Sequence, residues 1–206
     1  MSKKIFALVC TYRKDRTIDK AIDEILKGPI SQGAEVNKVY LLDKKIEFCH
    51  NCRSCTQKEG MVRGKCVLSD DMDRVLTDME RADVIVFAAP VNYYNVNALT
   101  RRFIERLICY TYWPWGSRGG PLPRLRVLEK DAYIVVSSAA PGFLIPFMTG
   151  ATRVLKIAAG SFGARVAGTL YLGLAAQSEN QPLSNGQIRS ARNLGKKIMS
   201  HKSGME

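Results

Sequence analysis

Four cysteines, Cys49, Cys52, Cys55 and Cys66, fall within eighteen positions of a 206-residue chain that contains only six. Thiols at i, i+3 and i+6 can be wrapped by a tight turn onto one centre, with the fourth returning from a nearby segment, and four-cysteine sets of this kind hold iron-sulfur clusters. Zinc also accepts four thiolates, although its structural sites more often use two separated cysteine pairs. A loop that holds no metal is the third reading. His50, between the first two cysteines, is a substitute ligand, a hydrogen-bond donor to sulfur, or merely exposed. With His201 in the tail as the only other histidine, and no Ser/His/Asp arrangement, the sequence argues against hydrolysis by a triad. Cys10 and Cys109 sit in apolar contexts and are expected to be buried structural thiols.

Three further segments carry groups suited to a ligand. Cys10-Thr11-Tyr12-Arg13-Lys14-Asp15-Arg16-Thr17 joins an apolar run to a helical pattern. The free N-H groups of a helix N-terminus, two threonine hydroxyls and three cations are what a phosphate monoester needs, and the alternative is a solvated basic turn. Neither the Gly-rich dinucleotide signature nor the Walker pattern is present. Pro90 to Asn97 (PVNYYNVN) offers apolar faces and amide groups to a flat heteroaromatic ring, or ordinary packing to the next helix. Ser137 to Gly142 (SSAAPG) is small enough for a ligand to approach the backbone closely, or is a plain strand-to-helix turn.

The elements that must position these segments read as alternating β and α units, the signature of a parallel sheet. Strands are expected at 4–10, 36–42, 84–89, 132–137 and 164–172, with Pro90 halting the third. Helices are expected from Thr17, a plausible N-cap, to Leu26 with Gly28 as the stop; after a cap at Ser69 or Asp70; and at 97–108, 143–159 and 185–200. The cysteine segment then lies at the carboxyl edge of the sheet, where ligands bind in open α/β folds.

Composition narrows the class. A chain with 46% hydrophobic residues and a net charge of +12 has a real core and is neither a disordered tail nor a disulfide-stapled miniprotein. The apolar run near the start is too short for a signal peptide, and no stretch approaches a membrane span. A cytoplasmic protein of one domain, 1–206, is expected, in a compartment where thiols stay reduced. Basic residues, including Arg118, Arg124, Arg126, Arg189, Arg192, Lys196 and Lys197, attract an acidic partner or serve as solvated faces.

Taken together, the loop CTYRKDRT, the run Cys49-x2-Cys52-x2-Cys55-x10-Cys66 followed by Asp70-Asp71-Met72, the segment Ala82 to Tyr93 (ADVIVFAAPVNY) and the helix Leu99 to Leu107 with Arg102, Phe103, Ile104 and Arg106 resemble the flavodoxin-like NAD(P)H-dependent FMN reductases. Within them the sequence resembles the iron-sulfur flavoproteins. The resemblance implies an α/β, flavodoxin-like three-layer sandwich, with a five-stranded parallel sheet in the order 2-1-3-4-5 and a Cys-rich insertion, 46–69, after strand 2. It implies FMN, with the phosphate on Thr11, Arg13, Arg16 and Thr17. The isoalloxazine lies along Pro90, Val91, Asn92, Tyr93 and Val96, and Ala139, Ala140, Pro141 and Gly142 close the other side. Cys10 and Tyr12 depart from the family's usual Gly and Pro, Glu105 from its Asp, and the spacing to Cys66 is longer than in the branch.

The function implied is an FMN-dependent oxidoreductase or electron-transfer flavoprotein that couples a 4Fe-4S cluster on Cys49, Cys52, Cys55 and Cys66 to FMN, with NAD(P)H or ferredoxin as donor. The alternative is an NAD(P)H-dependent FMN or quinone reductase without a cluster. A zinc-stabilised nucleic-acid-binding module is the remote alternative, opposed by the dispersal of basic residues and the lack of a nucleic-acid motif. Expected partners are copies of the chain in a homo-dimer or tetramer and an acidic carrier such as ferredoxin, with no membrane. The Trp113/Trp115 loop is a lid over the flavin, a subunit contact or core packing.

Overall fold

The computed structural model describes residues 2–200; Met1 and 201–206, and with them His201, lie outside the described residues. In chain order the elements are β1 (Lys4–Val9), α1 (Thr17–Ser31), β2 (Glu35–Tyr40), α2 (Met72–Glu80), β3 (Val84–Asn92), β4 (Asn95–Val96), α3 (Ala98–Arg106), β5 (Thr111–Tyr112), β6 (Leu122–Pro123), β7 (Lys130–Ser137), α4 (Ile145–Met148), α5 (Ala151–Ser161), β8 (Ala164–Leu172) and α6 (Asn185–Ser200). The five long strands pair in parallel in the order β2-β1-β3-β7-β8, the 2-1-3-4-5 order that the resemblance implied.

The layers follow from the period of two along each strand. Ile5, Ala7 and Val9 of β1 join Val84, Val86 and Ala88 of β3 beneath α1 and α6, which contribute Ile18, Ile22, Ile25, Leu194 and Ile198. Phe6, Leu8 and Cys10 turn the opposite way, to Met72, Val75 and Met79 of α2, Leu99 and Phe103 of α3 and Leu155 of α5. Strands covered on both faces must be apolar where they are covered, which is why IFALV and VIVFAA are uninterrupted runs.

Four local expectations are corrected. Helix α1 does not stop at Gly28 but continues through Pro29 to Ser31. Pro29 has no N-H for the Ile25 carbonyl, and α6 packs on that notch through Gly195, where a Cβ would lie 2.2 Å from Ile25 O. Thr17 is not a cap but the first helical residue; Arg16 stands at the cap without a side-chain bond. Asp71 holds the corresponding place before α2, while the Asp70 carboxylate accepts the Met72 N-H at 3.0 Å. The helix expected at 143–159 is two pieces, because Thr149 is extended and the Gly150 N-H donates to Tyr94 O at 2.8 Å.

Pro90 does not end its strand. It pairs in register with Ser137, and the chain runs on to Asn92, then doubles back through Tyr93 and Tyr94 so that Val91 and Asn92 pair with Val96 and Asn95 of β4. Among the described residues no helix is long and apolar enough to cross a membrane.

Candidate functional site

Because β1, β3 and β7 are parallel neighbours, the loops that follow them leave the same edge of the sheet side by side. The structure thus gathers Thr11–Thr17, Pro90–Val96 and Ala139–Gly142 at one place. The loops are also tied together. The Cys10 N-H donates to Ala88 O at 2.8 Å, and Cys10 O accepts from Asn97 Nδ2 at 2.7 Å. Asn97, fully buried, caps α3 by accepting the Thr100 N-H at 2.9 Å. The Leu99 N-H donates to Tyr12 Oη at 3.1 Å.

In the first loop Thr11 is buried, Arg16 and Thr17 are half-buried, and the N-H groups of the first turn of α1 have no acceptor within the helix. Arg13 is directed elsewhere: its guanidinium donates to Glu179 O at 3.0 Å and lies 3.9 Å from the Glu179 carboxylate. Lys14 pairs with Asp43 at 2.7 Å. Sequence reasoning missed Asp19, a fully buried carboxylate in the first turn that accepts the Asp15 N-H at 2.7 Å, the Tyr40 hydroxyl at 2.9 Å, and an ion pair from Lys38 at 2.6 Å. Burial pushes this carboxyl up, but Lys38, the Asp15 N-H and the Tyr40 hydroxyl outweigh it and hold it below the ordinary range. Spacing on α1 could have flagged Asp19, since it shares the apolar face with Ile18 and Ile22.

The hairpin after β3 is strained. Tyr93 and Tyr94 have φ of 46° and 63°, the left-handed region where a non-glycine residue costs about 1–2 kcal/mol, and both rings are exposed. A left-handed pair is what a two-residue hairpin turn requires, and Asn-Gly normally supplies it. Opposite, Ser138 O, Ala140 O and the Ser138 N-H are bonded to Ala175, Leu174 and Leu172, so Ala139 to Gly142 form a small-residue ledge fixed to the end of β8.

The four clustered cysteines line one cavity of ≈20 Å³, together with His50, Arg53, Val67, Leu68 and Arg106. Asn51 and Arg53 have φ of 52° and 56°. Left-handed residues at alternate positions are how a backbone makes the anion-accepting concavities found at phosphate and iron-sulfur sites. Gly64 sends the chain back toward Cys55 so closely that a Cβ there would lie 1.7 Å from Cys55 O, and its N-H donates to Cys109 O at 2.8 Å. Cys66 is then held by Arg106, whose Nη2 lies 3.5 Å from Sγ. Arg106 pairs with Asp70 at 2.6 Å, both side chains at most 2% exposed, and donates to Glu47 O at 2.8 Å. The Asp70 carboxylate also accepts the Glu47 N-H at 2.8 Å.

Cys52 is exposed, and hydrogen bonds from Ser54 lower its thiol below the usual range; Cys55 is raised, first by burial and then by the nearby Cys66, Cys49 and Cys52. Cys10 and Cys109 are buried, and burial pushes each thiol up to about 12. Among the described residues no three His, Cys, Asp or Glu side chains are gathered closely enough for a single metal ion. In number and type alone, the four thiols that line the cavity match the donor set of a four-thiolate group.

The tryptophan loop is placed on the cysteine turn. Arg53 Cζ lies 3.6 Å from the Trp113 ring centroid and 4.1 Å from that of Trp115, and Trp113 O accepts from Arg53, Thr56 and Gln57. Arg124, read from sequence as a candidate for attracting a partner, is buried instead. Its guanidinium donates to Cys55 O, Lys58 O, Gly60 O, Cys109 O and Thr111 O, fastening this turn to β5. A cleft of ≈1420 Å³ lies between residues 59–70 and 122–130 and shares Cys66 and Arg106 with the cysteine cavity.

A family model described as NADPH-dependent FMN reductase matches residues 3–138. An iron-sulfur flavoprotein of Archaeoglobus fulgidus is 35% identical over 121 residues, covering 58% of this chain and 53% of that protein. One of Methanosarcina thermophila is 29% identical over 105 residues, 51% and 52% of the two chains. The chain spans about half the length of these relatives. The solved NAD(P)H:quinone oxidoreductase of Methanothermobacter marburgensis superposes over the whole of both chains with a TM-score of 0.68 at 15% identity, a likeness of fold.

Proposed function

We propose that this chain, which belongs to the NADPH-dependent FMN reductase family, is an FMN-dependent oxidoreductase that couples FMN to a 4Fe-4S cluster on Cys49, Cys52, Cys55 and Cys66. When bound, FMN supplies one- or two-electron exchange and the cluster one-electron exchange, so that a one-electron carrier is linked to a two-electron reaction. Thr11, Arg16, Thr17 and the first-turn amides of α1 hold the phosphate, helped by the helix dipole. Arg13 joins them if it leaves Glu179. Lys38 neutralises Asp19 beneath the loop, so that the buried carboxylate does not repel the phosphate. Pro90, Val91, Asn92, Tyr93 and Val96 form one wall for the ring and Ala139, Ala140, Pro141 and Gly142 the other.

The observation that carries the reading is α3. Its amino end, Asn97 and Thr100, bonds the Cys10 carbonyl at the mouth of the phosphate loop, and its last residue, Arg106, bonds Cys66. Nine helical residues, about 13 Å at 1.5 Å each, thus join the two sites as one rigid element. The names of the relatives, iron-sulfur flavoproteins, support the cluster. An acidic carrier such as ferredoxin, attracted by the +12 charge, is the partner of this reading; a homo-dimer or tetramer in a reducing cytoplasm is its setting, as one domain over 1–206. The second reading, an NAD(P)H-dependent FMN or quinone reductase without a cluster, draws on the family description and on the absence of three gathered ligands among the described residues.

Cys52→Ser separates the two. The cluster reading expects FMN to stay at one per chain while iron and sulfide are lost from the anaerobically reconstituted protein. Full iron in Cys52→Ser removes Cys52 from the ligand set.

A further inference from the structure

Helix α4 and the turn before it, Phe143-Leu144-Ile145-Pro146-Phe147-Met148, are apolar at every position, which is the pattern of a buried helix. Ile145 is buried, yet Phe143, Pro146, Phe147 and Met148 are exposed, Phe147 at 85%. The backbone extends this apolar surface at both ends. Gly142 and Gly173 approach so closely that a Cβ on Gly173 would lie 2.1 Å from Gly142 N, so the residues that follow them, Phe143 and the exposed Leu174, leave from one point. At the other end the Gly150 N-H bond to Tyr94 O brings the hairpin tip, with its exposed Tyr94 ring, to the end of α4. Among the described residues nothing covers this face, and a continuous exposed apolar surface marks a place of contact.

Charge decides what covers it. The chain carries +12, so two copies repel each other wherever their basic surfaces meet. No charged residue occurs between Asp83 and Arg101 or between Asp131 and Arg153, and these two uncharged stretches supply the hairpin and α4. An acidic partner gains no Coulomb attraction from such a face, whereas a second basic copy meets no repulsion there. We propose that this face is where two copies of the chain associate about a two-fold axis, each presenting Tyr94, Phe143, Phe147, Met148 and Leu174 to the same residues of the other. Its composition is that of an interface core, in which aromatic residues and Met are enriched and charged residues depleted. The proposal gives a surface to the homo-oligomer of the reading above and does not involve the cysteine site.

Sedimentation velocity on the full chain with FMN added, over a micromolar dilution series, reads the assembly. Wild type is expected to sediment at twice the mass of the chain or a multiple of that. Phe147→Glu sets like charges against each other across an isologous contact and is expected to raise the dissociation constant of that contact at least about a hundredfold. Its circular dichroism spectrum is expected to stay that of wild type, because the side chain packs on little of its own chain. Ile30→Glu is the control: Ile30 is exposed near the end of α1, at the opposite edge of the sheet, and the variant is expected to assemble as wild type does. A Phe147→Glu protein that assembles like wild type overturns the proposal, and so does an equal loss of assembly in Ile30→Glu. If Phe147→Glu precipitates, Phe147→Ser decides by the same measure: weakened assembly supports the proposal and unchanged assembly overturns it. A wild-type chain that stays monomeric fails the homo-oligomer and this proposal together, and one that also floats with phosphatidylcholine vesicles gives the face to lipid instead. A wild-type assembly that the Phe147 variants leave intact fails this proposal alone.

Discussion

Replacing Asp70 by Asn removes one charge from a pair that is shielded from solvent. The carboxylate is 1% and the Arg106 side chain 2% exposed, and the carboxylate accepts from Arg106 Nη1 at 2.6 Å, from the Glu47 N-H at 2.8 Å and from the Met72 N-H at 3.0 Å. An Asn keeps one acceptor but turns an NH2 toward donors and leaves Arg106 as a buried, uncompensated cation, a loss of about 3–5 kcal/mol. Against a total stability of about 5–15 kcal/mol this is severe. With a urea m-value of about 2–3 kcal/mol/M for a chain of this size, the unfolding midpoint falls by roughly 1–2.5 M. Asp73→Asn is the control, because Asp73 pairs with Arg63 while 82% exposed and is worth under about 1 kcal/mol. The pH dependence gives a second check. Burial raises the Asp70 carboxyl, but Arg106 and the two N-H groups outweigh it and hold it below its ordinary 3.8. A group lowered in the folded state stabilises fully above its unfolded value and loses that contribution as the pH falls below it, so the gap between wild type and Asp70→Asn narrows below about pH 3.8. Equilibrium urea unfolding followed by circular dichroism measures both. A midpoint within about 0.3 M of wild type at neutral pH refutes the pair's assigned role.

Two other substitutions follow from geometry. Gly64→Ala places a Cβ 1.7 Å from Cys55 O, so the return of the chain to Cys66 must open; a drop in thermal stability together with loss of iron uptake is expected, and unchanged iron content contradicts it. Tyr93→Gly relieves a left-handed backbone of φ 46° at a side chain 96% exposed, gaining about 1 kcal/mol or roughly 2–4 °C in Tm, while removal of the ring weakens FMN several-fold in a fluorescence titration. No gain in Tm removes the strain from the account of the hairpin.

The sheet was legible because strands covered on both faces leave unbroken apolar runs, and α6 was legible to its end residues because Ala191, Leu194 and Ile198 recur at helical spacing. What failed in the sequence was punctuation decided by distant partners. Gly28 reads as a stop until Gly195 of α6 packs on the following turn, and Pro90 reads as a stop until its strand is held by β7 on one side and by its own hairpin. The cysteine spacing pointed to a common centre, and the four do share a cavity. The arginines that shape it were opaque, since Arg124 and Arg53 bind backbone carbonyls that no residue type announces. Asp19 stood on the apolar face of α1, where spacing could have flagged it, but its partner Lys38 lies on β2 and no local pattern joins the two.

Flavin and cluster in one chain have a direct signature. The wild-type protein, prepared and reconstituted without oxygen, is expected to show yellow flavin bands with a broad brown shoulder, about four irons and four sulfides per chain with one FMN, and a paramagnetic signal on reduction. Flavin bands alone, with no iron retained after desalting, contradict the coupling of FMN to a four-cysteine cluster.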